Sequence, residues 1–288
     1  METQFYENRL KDTAKHQAVM IYENRNFSFR AHWHQEIELV HVRSGRVTIG
    51  VNKEAREMAA GDVCLFQSGD IHYYESSQEG ADVVTILFCT DLVSGFYSWM
   101  EAHIGMSAFL TEAGVKECGL TEIYELSAKM CREKREELCA FQEKNKAYAA
   151  LLLIEIMRKW PCQTGRGRKP EQMAGQKQMQ EILVYIEQHV EESLTIACLA
   201  EQFHIDKFYL SKVFNRVTGM HFKDYINRLR VTLAEEKLRT GCQPVVDIAY
   251  ECGFGSVRNF NRVFKVIKGS TPGEIRSEAL RRRTFQQP

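Results

Sequence analysis

Three side chains at short, even spacing, His32, His34 and Glu38, stand in the first third of the chain, and His72 follows further on. Alternate residues of a strand project to one face, so a single strand through this segment turns all three the same way. Two imidazoles and a carboxylate, joined by His72 from another strand, make a donor set for a divalent transition metal with open positions. The same groups can instead hydrogen-bond a sugar or another small polar molecule directly, or serve only to satisfy one another in a core. Arg30 shares their parity and suits an anionic or hydroxylated ligand, or a place on the surface.

A second kind of chemistry lies near the end of the chain. Val257, Phe260, Val263, Phe264 and Ile267 recur at helical spacing and define a buried stripe. Arg258, Asn259, Arg262 and Lys265 then fall on the opposite face. Leu210, Val213, Phe214 and Val217 repeat the stripe earlier, leaving Phe208, Ser211, Lys212 and Asn215 outward. Arginine matches the guanine edge and asparagine the adenine edge in the major groove. A basic helical face alone is ordinary solvated surface, but here it is duplicated. Leu210-Ser-Lys-Val-Phe-Asn215 parallels Phe260-Asn-Arg-Val-Phe-Lys265, and Leu199-Ala200-Glu201 parallels Ile248-Ala249-Tyr250. Two copies of a helix–turn–helix unit account for this, with Asp206 and Ser256 as helix caps and Gly253 in the left-handed position that ends a helix.

The elements that must hold these residues follow from periodicity. From about Asn26 to Phe88, short alternating runs separated by turns predict five or more strands in a small barrel or sandwich. From about Ser107 to Trp160 the reading is helical, and Ala147 to Met157 is apolar almost all round. Pro161 to Pro170 is rich in glycine, proline and basic residues and reads as a linker. The expected fold class is therefore α+β in two domains. Residues 1–105 form a sheet domain around the His–Glu set, 106–160 a helical dimerisation and packing region, 161–176 a linker, and 177–288 an all-helical DNA-binding domain.

From Leu194 to Arg276 the chain resembles the AraC-type transcriptional regulators. The likeness rests on Leu199-Ala200, Leu210-Ser-Lys-Val-Phe, Thr218-Gly219, Phe222-Lys-Asp-Tyr-Ile226, Asp247-Ile-Ala249, Gly253-Phe254, Phe260-Asn-Arg-Val-Phe-Lys265 and Thr271-Pro272. The resemblance implies two helix–turn–helix subdomains joined by one helix, about Phe222 to Arg239, with their recognition helices in successive major-groove segments. His204 stands where the family has a turn glycine, and Ile275 where it commonly has an aromatic. His32-Trp-His34, Glu38 and Gly45, followed by Gly61, Gln67, Gly69 and His72, resemble the two cupin motifs, with Gln67 and Ser76 replacing the usual proline and asparagine. A cupin-like β-barrel is the effector domain of many such regulators, so the resemblance implies that residues 1–105 are the effector-binding domain.

Composition bounds the rest. Of 288 residues 44% are hydrophobic and 26% charged, which excludes disordered and collagen-like classes. Net charge is zero, yet residues 1–170 carry 21 basic and 24 acidic residues against 17 and 14 in residues 171–288. Nine scattered cysteines without a close pair argue against disulfides or structural zinc. No apolar run is long enough to span a membrane, and the first residues lack a signal peptide's apolar core.

The expectation is a cytoplasmic, non-enzymatic regulator that binds double-stranded DNA and a small polar effector such as a carbohydrate. It forms a homodimer, engages the transcription machinery and touches no membrane. Arg30, His32, His34, Glu38 and His72 hold the effector, and no cofactor is required. His32, His34, Glu38 and His72 are also the ligands if a divalent transition metal is bound. The competing reading is a metal-dependent cupin enzyme with an appended DNA-binding module.

Overall fold

The computed structural model describes residues 18–89, 91–102, 107–161, 170–240 and 243–284. Seven strands come first: β1 (Val19–Arg25), β2 (Phe29–His32), β3 (Ile37–Val51), β4 (Glu54–Ala59), β5 (Val63–Phe66), β6 (His72–Phe88) and β7 (Phe109–Leu110). The long strands β3 and β6 pair antiparallel from Ile37↔Phe88 to Val51↔His72, with irregularities between Val42 and Val47. On one side of these irregularities β3 and β6 are flanked by β5 and β1; on the other they are flanked by β4 and β2. Gly45 marks the corner. Its φ is +74°, and a Cβ there would lie 2.1 Å from the Gly80 carbonyl oxygen, so only glycine fits.

The two-domain α+β class matches the expectation, with one difference. The path β1-β6-β3-β5-β7 is open, so the strands form a sharply bent sheet rather than a closed barrel. Strand alternation sorts the side chains. Val40, Val42, Ile49, Phe66 and Val83 share the interior of the bend. Ile37, Leu39, Leu65, Ile86 and Phe88 face the other way, beneath helices.

Those helices are α1 (Phe96–Ala102), α2 (Glu112–Glu117), α3 (Glu122–Glu136) and α4 (Phe141–Lys159). The almost wholly apolar stretch of α4 is spent inside its own domain: Ala149, Leu152, Leu153 and Ile156 are fully buried in that core. Leu151, 53% exposed, and Leu138 at the α3–α4 turn remain outside. The apolarity that pointed to a dimer interface is thus mostly absorbed by the sheet and α3. The segment 106–160 is also not wholly helical, because β7 pairs with β5 and belongs to the sheet.

The second half is all helix: α5 (Pro170–Gln188), α6 (Ile196–Gln202), α7 (Lys207–Thr218), α8 (Phe222–Thr240), α9 (Val245–Glu251), α10 (Val257–Lys268) and α11 (Pro272–Thr284). The expected linker, 161–176, is shorter than its composition suggested. Residues 162–169 lie outside the described residues, and 170–176 already form the first turns of α5, for which a leading proline is a favoured start. Further on, α5 buries Met179, Ile182, Leu183 and Ile186, a 3–4–7 stripe, against α6, α7 and α8. The same cluster contains Ala31, Ile71 and Tyr73 of the sheet domain, so the two halves share one apolar seam.

Candidate nucleic-acid interface and effector site

Both helix–turn–helix copies form where the repeat placed them. Thr195 caps α6 through its hydroxyl, Asp206 caps α7 by accepting from the Tyr209 N–H at 2.8 Å, and Ser256 caps α10 by accepting from Asn259. The helices α7 and α10 end on Gly219 and Gly269, both at φ +72°. The offset is 49 residues between α6 and α9 and 50 between α7 and α10; the slip falls in the turn. There the second copy uses Gly253 at φ +80°, and His204 takes the same left-handed conformation at φ +53°. The departure from the family's glycine leaves the turn geometry intact.

The inner faces pack as read, with Leu210, Phe214 and Val217 buried in α7 and Phe260, Val263 and Phe264 in α10; Val213, Val257 and Ile267 are half-buried. Outward, Phe208 is 81% exposed, an unusual position for a phenylalanine without a partner. Ser211, Lys212, Arg258, Arg262 and Lys265 are exposed, while Asn215 and Asn259 are half-buried. Asn215 pairs with His221 at 3.1 Å, and the Arg262 guanidinium donates to Asn259 Oδ1 at 2.9 Å. The exposed guanidinium of Arg262 is thus tied to its helical neighbour.

The polar residues of the sheet domain also converge, though not along one strand. After His32 ends β2, the chain bends before β3 begins at Ile37, so His34 sits in the bend. Side-chain parity survives the bend, and ligand atoms of His32, His34, Glu38 and His72 all lie within 4.8 Å of one another. The set is closed over by Phe66, stacked 4.2 Å from His72, and by Phe29, 4.6 Å from His32.

Hydrogen bonds set the ring orientations. His32 Nδ1 faces the Arg30 carbonyl at 3.0 Å and His72 Nδ1 the Asp70 carbonyl at 2.8 Å. A carbonyl only accepts, so both Nδ1 atoms carry hydrogen and both Nε2 atoms turn toward the cluster. His34 differs. Its Nδ1 meets the Glu36 carbonyl at 3.1 Å and its Nε2 meets Glu38 Oε2 at 2.9 Å, so both nitrogens donate. Burial opposes that charge, but the Glu36 and Glu38 carboxylates outweigh it and raise the His34 pKa to about 9. Burial, reinforced by its two imidazole neighbours, holds His32 well below the usual histidine value. Glu38 is fully buried, yet His72 and His34 keep it well below the usual carboxylate range. The centre of the cluster is therefore an imidazolium–carboxylate pair beside a neutral imidazole.

Sequence reasoning missed two members. Tyr74 donates to Glu38 Oε1, and Glu36 lies 3.4 Å from His34. Tyr74 stands two residues after His72 on β6, so its parity was the available signal. Arg30 does not join the cluster: its guanidinium lies 3.5 Å from Glu187 on α5.

Comparison with known proteins bears on both halves. The sequence profile of an AraC-like ligand binding domain matches residues 16–154, and that of a helix-turn-helix domain matches residues 199–278. The regulatory protein SoxS of Escherichia coli is 36% identical over 104 residues, covering 36% of this chain and 97% of SoxS. The HTH-type transcriptional activator RhaS of Citrobacter koseri is 23% identical over 252 residues, covering 86% of this chain and 88% of RhaS. Among solved structures, ToxT of Vibrio cholerae is 17% identical with a TM-score of 0.42, covering 90% of this chain and 97% of ToxT.

Proposed function

The chain belongs to the AraC family of transcriptional regulators, ligand-responsive and non-enzymatic DNA-binding proteins, and from that premise we propose which residues read DNA and which hold the effector. The outward faces of α7 and α10 read two successive major-groove segments. Phe208, Ser211 and Lys212 serve in the first; Arg258, Asn259 and Arg262 serve in the second, with Asn215 and Lys265 on flanking phosphates. The observation that carries this reading is the repetition of one cap-to-cap geometry, Asp206 to Gly219 and Ser256 to Gly269, with donors exposed on the same side of each helix.

The effector is a small polar molecule, such as a carbohydrate, anchored by the His32, His34, Glu38 and His72 cluster. A buried, charge-bearing group of four side chains is costly to maintain in a core, and the Nε2 atoms of His32 and His72 turn inward, that of His72 lying 3.3 Å from Glu38 Oε2. Arg30 acts beside this site, on the strand that joins it to α5. The regulator works in the cytoplasm, as a homodimer through the outer face of α3 and α4, and in contact with the transcription machinery. Among the described residues no helix is long and apolar enough to cross a membrane.

A second reading is favoured by the mutual spacing of the donor atoms. Metal–nitrogen bonds near 2.1 Å bring ligand atoms to within about 4 Å of one another, so a modest contraction from 4.8 Å admits a divalent transition metal. His32, His72 and Glu38 would hold it at once, and His34 only after losing its proton. The ion would organise the effector end of the sheet domain, with no bearing on catalysis.

Titration of full-length protein with its selected duplex and with scrambled duplex, from about 50 to 200 mM salt, tests the DNA assignment. Preference for the selected duplex and a steep salt slope are expected; a flat response removes it. Thermal shift against a panel of sugars and divalent metals, with Glu38→Gln alongside, tests the cluster. A shift by one class that disappears in the variant supports that class, and no shift from either withdraws the assignment.

A further inference from the structure

Apart from the His–Glu cluster, the structure contains a cavity of about 360 Å³ between the two halves of the chain. Its sheet-side wall is Val51 and Ile71. Its helix-side wall is Met179 of α5 with Val213 and Val217, the inner face of the recognition helix α7. Val51, Ile71, Met179 and Val217 are buried, so this wall is apolar side chain held from both domains. The rim is polar: Asn52, Gln67, Asp70 and Gln176 line it together with Lys53 and Glu54, one charge of each sign. Most of these groups are tied up in hydrogen bonds or ion pairs, Gln176 with the Gly69 carbonyl and Glu54 with Arg56. Asn52 donates to Asp70 Oδ1 at 2.8 Å and accepts from the Ile71 N–H, and Asp70 Oδ2 accepts from the Gln67 N–H at 2.9 Å.

Gly175 sits at the mouth, inside the 19-residue helix α5. Glycine is among the least favourable residues in a helix interior. A Cβ built there meets nothing within 4 Å, so neither packing nor a positive φ demands glycine. What its lack of a side chain does is leave the entrance open.

We propose that this cavity is a second small-molecule site, one that takes a compact, uncharged, largely apolar molecule. Small-molecule sites concentrate at domain interfaces and begin at about 300 Å³, with apolar walls and few polar groups. Lys53 and Glu54 bring opposite charges to this rim and so favour no net charge on the ligand, whereas the walls gain by exchanging water for an apolar occupant. An occupant touches Val213 and Val217, on the reverse of the helix that carries Lys212 and Asn215. Whatever change in DNA affinity an occupant produces, DNA returns to the occupant's affinity by the same factor. The site is separate from the His–Glu cluster, although the two share Asp70, which lines the cavity and whose carbonyl meets His72 Nδ1.

Nile red, an uncharged dye that fluoresces in apolar surroundings, is the probe, titrated into full-length protein. Saturation at one dye per chain is expected, with Gly175→Trp weakening it at least tenfold by filling the mouth. Gly175→Ala, which adds one methyl, and Gly273→Trp, at another open helical glycine on α11, should titrate as the parent does. Melting curves of all four proteins confirm that each is folded. Absence of saturable fluorescence overturns the site, as does Gly175→Trp binding dye like the parent or Gly273→Trp losing it equally.

Discussion

The Tyr225 hydroxyl, on helix α8 of the DNA-binding half, donates to the Ala31 carbonyl of β2 at 3.0 Å, and both residues are fully buried. The neighbouring carbonyl, that of Arg30, receives His32 Nδ1. The same alternation recurs across the cluster, where Gln176 and Gln180 of α5 donate to the Gly69 carbonyl and His72 Nδ1 meets that of Asp70. Two peptide segments thus hold the histidines on one carbonyl and the DNA-binding half on the next. Any occupant that turns His32 or His72 acts on the peptides that grip α5 and α8.

Tyr225→Phe leaves the Ala31 carbonyl buried without that donor, a loss of about 1–3 kcal/mol. The full chain should melt several degrees lower, at about 2–4 °C per kcal/mol for domains of this size. A fragment spanning 170–288 lacks Ala31 and should melt alike with or without the substitution. Equal losses in both would show that the hydroxyl serves α8 rather than the seam.

His204 and Gly253 give a paired test of the turn. A non-glycine residue in the left-handed region is strained, and His204 is exposed with φ +53°. His204→Gly should stabilise the fragment by about 0.5–1 kcal/mol, the relieved strain exceeding the added chain entropy. At Gly253 a Cβ would lie 2.7 Å from the Glu191 carbonyl oxygen and 2.9 Å from Arg230 Nε, so Gly253→Ala should destabilise by more than about 1 kcal/mol. Denaturant titration reads both, and a destabilising His204→Gly would mean the imidazole contributes something the turn needs.

That turn also marks how far the sequence could be read. The repeat carried helix order, caps and outward faces, because each depends on residues within one turn of one another. The slip of one residue was visible, and so was the place where His204 stood in for glycine. The His–Glu cluster was legible through parity alone, and parity outlived the error of assuming a single strand. Arg30 and α4 were not legible. Arg30 turns to Glu187, some 157 positions away, and no local period encodes that pairing. The apolarity of α4 reported burial correctly but could not name the buried partner, which was its own sheet. The seam through Tyr225 and Gln176 was hidden for the same reason, since both look like ordinary helix residues.

His41 predicts a pH dependence. Burial first, then the Arg43 charge, lowers its pKa from 6.5 to about 4, with Asp82 opposing. Between those values the unfolded chain holds a proton that the folded chain refuses. Stability is therefore unaffected by this group above pH 6.5 and falls as pH drops toward 4, at up to about 1.4 kcal/mol per pH unit. His41→Gln should flatten the profile across that window. An unchanged slope would assign acid sensitivity elsewhere.

Arg262 decides between reading and positioning. Its guanidinium is exposed on α10 and braced at 2.9 Å by Asn259 Oδ1, with Arg258 one turn earlier. A bidentate contact to guanine gives about 1–3 kcal/mol of discrimination at one base pair, so Arg262→Ala should weaken the selected duplex by that amount and relax preference at that position. Scrambled duplex should be bound nearly as before. Lys265, a turn further along and also exposed, is the contrasting case. As a phosphate contact, Lys265→Ala should weaken both duplexes alike and reduce the salt slope by about one charge. Asn259→Ala separates bracing from contact: if Asn259 only holds the guanidinium, its loss lowers specific affinity but not in the double variant with Arg262→Ala, because the two residues then act as one unit. The measurement is a pair of titrations at two salt concentrations for each variant. Should Arg262→Ala lower both affinities equally, α10 reads its site through other residues and Arg262 joins the phosphate contacts.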